Sequence, residues 1–169
     1  MGLSRLERRG QPEVFGLWNE ALTRDRWNRE AYLSTLRYLG LEEMGSRVQV
    51  VDFVDALRAR TPANAPCAAT ELTAEVLQYQ SLLARSGVEA LMARPHWSQA
   101  SATQAFDRAA RTWARPGFSH HAAAVADLNL LAYALITAEW RGEARPVFEA
   151  INGTATEFGK ARISRRTGG

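Results

Sequence analysis

The chain has 169 residues, 46% hydrophobic and 23% charged, a composition that fits one globular domain with a sizeable core. Its formal charge of +3 depends on the last ten residues, which hold four basic side chains and no acidic one; without them the net charge is −1. This distribution excludes a broad phosphate-binding field on the body of the protein, and the single cysteine excludes a disulfide framework and the usual zinc-finger ligand sets.

The composition also bears on compartment and source. Residues 1–16 are charged from the start and lack the apolar core of a secretory signal. The most apolar segment, residues 122–138, has 17 residues and includes Asp127, whereas a membrane helix needs about 20 mostly apolar residues. All but one of the 21 basic residues are arginine, which together with abundant alanine indicates a GC-rich genome. We therefore expect a bacterial, cytoplasmic protein that does not enter a membrane.

Helical periodicity runs along the chain, without convincing strand alternation. In chain order it predicts helices over residues 12–23, 28–39, 46–60, 68–85, 98 or 101 to 114, 119–140 and 142–151. Ser46 and Thr70 are the expected caps of the third and fourth helices. Proline-containing loops at residues 61–66 and 115–117 separate the helices. Helices of this length with short connections predict an all-α fold of antiparallel helical hairpins.

One domain is expected over residues 1–153, followed by a basic and flexible tail over residues 154–169. The tail carries Lys160, Arg162, Arg165 and Arg166. These four charges could contact nucleic acid or an acidic protein surface, with weak and non-specific affinity by themselves. The alternative is a terminus that only increases solubility.

The segment "LNLLAYALITAEWRGEARPVFEAING", residues 128–153, has the most ordered pattern in the chain. It resembles a tetratricopeptide repeat, a helix–turn–helix unit of 34 residues. The matching positions are Leu128, Leu131, Ala132 and Leu135 in the first helix, and Ala144, Phe148 and Ile151 in the second. The resemblance implies that Ala132 lets the partner helix approach closely. It also implies that Phe148 fills the gap between this pair and the preceding helix.

Two fainter matches extend the resemblance to about half of the chain. They involve Trp18, Ala21, Leu22, Asn28, Ala31 and Tyr32 near the N-terminus, with Arg26 where the family usually has proline, and Ala102, Phe106 and Ala109 further on. Stacked hairpins forming a short tetratricopeptide-like superhelix are the expected architecture, and an irregular helical bundle is the alternative. The whole chain also resembles alanine- and arginine-rich proteins of actinobacteria, which carry no activity that could be transferred.

The repeat register implies a binding groove. It places Ala126, Asn129, Tyr133 and Thr137 along the concave side of the first helix. Asn129 would hold the backbone of a bound peptide, and Tyr133 would offer a flat apolar surface. If the register of the first match also holds, Arg37 lies in the same groove and suits an acidic ligand. The alternative is that these polar side chains satisfy hydrogen bonds with neighbouring helices.

Metal and catalytic sites find no support in the pattern. His120 and His121 are adjacent, so on a helix they diverge by about 100° and cannot bind one ion together; we expect them to cap the long helix. No signature of a nucleophile surrounds Cys67, and no glycine-rich phosphate loop is present. We expect no metal and no cofactor. Of the five tryptophans, Trp27 and Trp97 lie in loop contexts and are the expected exposed ones.

Three functions follow in order of preference. The first is a non-enzymatic interaction or scaffold module that binds a peptide or helix of another protein, or a second copy of the chain, in a helical groove. The second is a nucleic-acid-associated protein acting through the C-terminal tail. The third is a small-molecule enzyme with a closed pocket of titratable groups.

Overall fold

The structure is a computed structural model that describes residues 11–40, 47–85, 87–118 and 121–152. Its α-helices, in chain order, are α1 (Gln11–Arg24), α2 (Arg29–Leu39), α3 (Arg47–Arg58), α4 (Ala69–Ala84), α5 (Val88–Leu91), α6 (Ala100–Thr112), α7 (Ala124–Thr137) and α8 (residues 141–152). Short 3-10 turns, Pro66–Ala68 and Arg94–Ser98, precede α4 and α6. No strand occurs within the four described ranges, and the predicted all-α class is confirmed.

The chain divides into two compact units, Met1–Ala74 and Glu75–Gly169, with the division inside α4. Each unit has its own set of buried apolar side chains. The expectation of one domain over residues 1–153 stays a prediction, and the proposed tail, residues 154–169, lies outside the described residues.

The first unit is organised around α2, which packs against α1, α3 and the Pro66–Ala68 turn. The helix starts where the sequence predicts, because the side chain of Asn28 accepts a hydrogen bond of 2.9 Å from the Ala31 N–H. Leu33 and Leu36 are buried on the same helix, and Trp18 of α1 meets Tyr38 edge to face with ring centroids 5.3 Å apart. A capped amphipathic helix thus forms the centre of this unit.

A smaller cluster in the first unit surrounds Cys67. Its thiol is fully buried, next to Leu57 and Ala65, and Trp27 and Tyr32 pack against this group. Trp27 is therefore half-buried rather than exposed. Cys67 behaves here as a small apolar side chain, in agreement with the absence of a catalytic signature around it.

Burial raises the pKa of the Cys67 thiol, and its hydrogen bond with the Thr61 hydroxyl opposes this only in part. We expect the folded protein to react slowly with a thiol-specific reagent at pH 8, and to react fast once unfolded in urea. The raised pKa has a second consequence. The buried, protonated thiol stabilises the folded protein fully at pH values below the pKa that the thiol has in the unfolded chain, about 8.5. This stabilisation is lost as the pH rises through the higher pKa of the thiol in the folded protein.

Urea unfolding between pH 7 and pH 11 measures this dependence, with Cys67→Ala as the matched control. Burial also raises the pKa of Tyr32, so a second decline of the same sign is expected above the ordinary tyrosine range. The alanine variant should lose the first decline and keep the second. Rapid labelling of the folded protein would contradict the burial of the thiol.

The second unit is built around α6 and α7, which pack against each other. Phe106, Leu131 and Leu135 are fully buried. The ring of Phe106 lies between two tryptophans, with centroid distances of 5.0 Å to Trp97 and 5.0 Å to Trp140. The prediction that Trp97 is exposed is therefore wrong. The Arg94–Ser98 turn bends the chain so that this indole faces α6 instead of solvent, which its loop context did not reveal.

Two details of the helix ends differ from the predictions. Thr70 does not cap α4: the Pro66–Ala68 turn leads directly into the helix, so Thr70 lies within its first turn and is fully buried. Its hydroxyl has no hydrogen-bond partner among the described residues. The long apolar helix is also shorter than predicted, since α7 ends at Thr137. Ser46, the other proposed cap, lies outside the described residues.

The end of α7 is a tight left-handed turn at Glu139, which has φ 64°. The Trp140 N–H donates to the Leu135 carbonyl at 2.9 Å and the Glu139 N–H donates to the Ile136 carbonyl at 3.1 Å, closing the last helical turn. Glycine is the usual residue at such a position, because a Cβ makes the left-handed conformation unfavourable by about 1–2 kcal/mol. The turn directs Trp140 onto Phe106.

We therefore expect Glu139→Gly to raise the free energy of unfolding by about 1 kcal/mol, the greater freedom of glycine in the unfolded chain offsetting part of the relieved strain. Glu139→Ala is the matched control, because alanine retains the Cβ and should leave stability nearly unchanged. Urea unfolding of the three proteins distinguishes these outcomes. Equal stability of the glycine and alanine variants would argue against strain at this turn.

Candidate partner-binding face

The helix α7 has one buried side and one exposed side. Its buried side chains are Ala124, Asp127, Leu128, Leu131, Ala132, Ala134 and Leu135. The opposite side presents Ala126, Asn129, Tyr133 and Ile136, which recur at intervals of three and four, and the half-buried Thr137, four residues after Tyr133, lies beside them. We call these five residues the α7 face. It contains three of the four sequence-predicted partner-binding residues, Asn129, Tyr133 and Thr137.

The α7 face combines exposed apolar surface with an absence of charge. Tyr133 is 40% exposed and Ile136 is 49% exposed. The only charged residue of α7, Asp127, is buried on the other side of the helix. Apolar side chains of this face are therefore exposed to water in the free protein. A partner would not need a complementary charge to bind there.

Two polar members of the α7 face, Asn129 and Thr137, make hydrogen bonds within their own helix. The Asn129 amide donates to the Val125 carbonyl at 2.9 Å. The Thr137 hydroxyl lies within hydrogen-bond distance of the Tyr133 and Ala134 carbonyls, at 3.1 Å and 3.0 Å. Their positions therefore need no hydrogen bond from a neighbouring helix, which was the alternative interpretation of the sequence.

Ile136 is the member of the α7 face that the sequence analysis missed. The repeat register gives only every third or fourth position of the first helix, and it passes from Tyr133 directly to Thr137. A signal was present, because Ile136 follows Tyr133 by three residues and therefore lies beside it on a helix. Its exposure makes it, with Tyr133, the largest apolar contribution to the face.

The residues that carry the repeat resemblance are only partly placed as it implies. Leu128, Leu131, Ala132 and Leu135 are buried, as predicted. The predicted packing of Phe148 is wrong: its side chain is 47% exposed, while Ala144 and Val147 are buried on α8. Because Phe148 directly follows Val147, the two side chains point about 100° apart around the helix axis. In α8 the Val147 side chain faces the core and the Phe148 side chain does not.

The other predicted partner-binding residues do not lie on the α7 face. Arg37 is exposed on α2, which belongs to the first unit, whereas α7 belongs to the second. Its place in a groove shared with Tyr133 stays a prediction. The tail residues Lys160, Arg162, Arg165 and Arg166 lie outside the described residues.

A buried polar pair lies elsewhere in the second unit and was not predicted. His96 is fully buried, and its Nε2 lies 3.0 Å from the Glu75 carbonyl oxygen and 3.3 Å from Glu75 Oε2. Because a carbonyl oxygen can only accept, Nε2 carries the hydrogen and donates it to the Glu75 carbonyl. Tyr79 and Trp97 lie against the imidazole, with ring centroids 6.0 Å and 4.8 Å away. The imidazole is therefore fixed by one hydrogen bond and by aromatic contacts.

His121 lies just before α7 but does not cap it, so this prediction is wrong: the N-cap is Ala123, and no side chain makes a capping hydrogen bond. His121 Nε2 instead lies 3.5 Å from Asp127 Oδ2, and the His121 backbone carbonyl accepts a hydrogen bond of 3.0 Å from the Ala124 N–H. His120 lies outside the described residues. Across the described ranges, no group of three or more His, Cys, Asp or Glu side chains could hold a metal ion.

Comparison with known proteins adds no assignment: no family model, curated protein or solved structure matches this chain. In the part of the chain that the structure describes, no helix has the length and apolar character needed to cross a bilayer. Among the described residues, the α7 face is the surface best suited to bind a partner.

Proposed function

We propose that this chain is a non-enzymatic interaction module whose α7 face binds a helix or extended segment of another protein. The observation that carries the proposal is the exposure of Tyr133 and Ile136 on a helix whose opposite side is buried. Exposed aromatic and branched apolar side chains at helical spacing are typical anchors for a partner helix. A tetratricopeptide-like arrangement of the hairpins would place this face along a groove.

The chemistry of the α7 face constrains the partner. Since the face carries no charge, the contacting side of the partner should be apolar or neutral, such as the apolar side of an amphipathic helix. The backbone hydrogen bonds of α7 are made within the helix, so side-chain packing rather than strand addition would provide the contact. Binding through such a face should depend only weakly on salt, because no ion pair forms at its centre.

The double variant Tyr133→Ser/Ile136→Ser tests this proposal. We expect it to reduce partner affinity at least tenfold, because truncating two apolar anchors removes on the order of 2 kcal/mol or more of contact energy. The free energy of unfolding should change by about 0.5 kcal/mol or less per site, since both side chains are exposed. The measurement is affinity capture from bacterial lysate, followed by titration of the purified partner against both proteins.

The matched control is Val51→Ser, which removes a 47% exposed apolar side chain from α3 in the first unit. A partner bound by the wild type and by the Val51 variant, but not by the double variant, would support the α7 face. A protein ending at residue 159 belongs in the same experiment, because a partner lost only on truncation would assign binding to the basic tail.

Self-association is measured separately by sedimentation of the purified protein over a range of concentrations. A dimer that dissociates in the double variant would identify a second copy as the occupant of the α7 face. A partner or dimer that survives both serine substitutions would overturn the proposal, because the interaction would then use another surface.

A further inference from the structure

We draw no further inference here: the strongest candidate, the exposed apolar side chains Leu83, Val88, Leu91 and Met92 at the end of α4 and around α5, carries nothing because nothing in the structure shows what covers them.

Discussion

Replacing Phe106 by alanine is expected to lower the free energy of unfolding by about 3–5 kcal/mol, the largest single effect in the second unit. The ring is fully buried and contacts Trp97 on one side and Trp140 on the other. Its removal would leave a cavity that neither indole can fill without losing its own contacts. Urea unfolding followed by circular dichroism at 222 nm measures the loss.

The matched control is Phe148→Ala, which removes the same atoms from a side chain that is 47% exposed on α8. We expect this substitution to cost about 1 kcal/mol or less, because half of the ring already contacts water. The comparison also tests the repeat packing, in which Phe148 would be an interior residue. A larger effect for Phe148 than for Phe106 would reverse the assignment of the core and favour the tetratricopeptide arrangement.

The second large effect is expected at the buried pair. His96→Leu should lower the free energy of unfolding by about 1–3 kcal/mol, because the buried hydrogen bond from the imidazole to the Glu75 carbonyl is lost. Leucine fills much of the volume of the imidazole but cannot donate to the Glu75 carbonyl. The Glu75 carboxylate, whose Oε2 lies 3.3 Å from Nε2, also loses this polar neighbour. Urea unfolding at pH 7 measures the change.

Two further variants show whether the stability lost in His96→Leu comes from the contact between His96 and Glu75. His96→Leu/Glu75→Leu should recover much of the lost stability, because no carboxylate then remains in the core. Arg111→Ala serves as the exposed reference, since its ion pair with Asp107 is on the surface and should contribute less than about 1 kcal/mol. If the double variant is as unstable as His96→Leu alone, the imidazole stabilises the core through packing rather than through Glu75.

Local patterns were sufficient for much of the helical structure. The predicted helix over residues 28–39 matches α2, because an asparagine cap and a regular apolar stripe coincide there. The buried positions Leu128, Leu131 and Leu135 also follow directly from spacing on one helix. The repeat resemblance implied that Asn129 and Tyr133 lie on the other side of this helix, and both are exposed there.

Contacts between distant residues explain the remaining differences. His96 and Glu75 are 21 residues apart, and neither neighbourhood indicates that the His96 side chain donates to the Glu75 carbonyl. Trp97 was assigned to a loop, yet a short 3-10 turn carries it against α6. Phe148 has the type and spacing of a repeat core residue, and only the rotation of α8 decides that Val147 is buried instead. These outcomes depend on tertiary packing, which a single sequence pattern does not encode.

The exposure of Tyr133 and Ile136 has a consequence for how this protein changes over generations. Because polar substitutions at either position cost the fold little, random mutation would replace these side chains with polar ones unless something opposed it. A lineage that retains an aromatic residue and a branched residue there would be under selection for what they touch outside the chain. Phe106 would be retained in either case, since its loss would destabilise the fold that presents them.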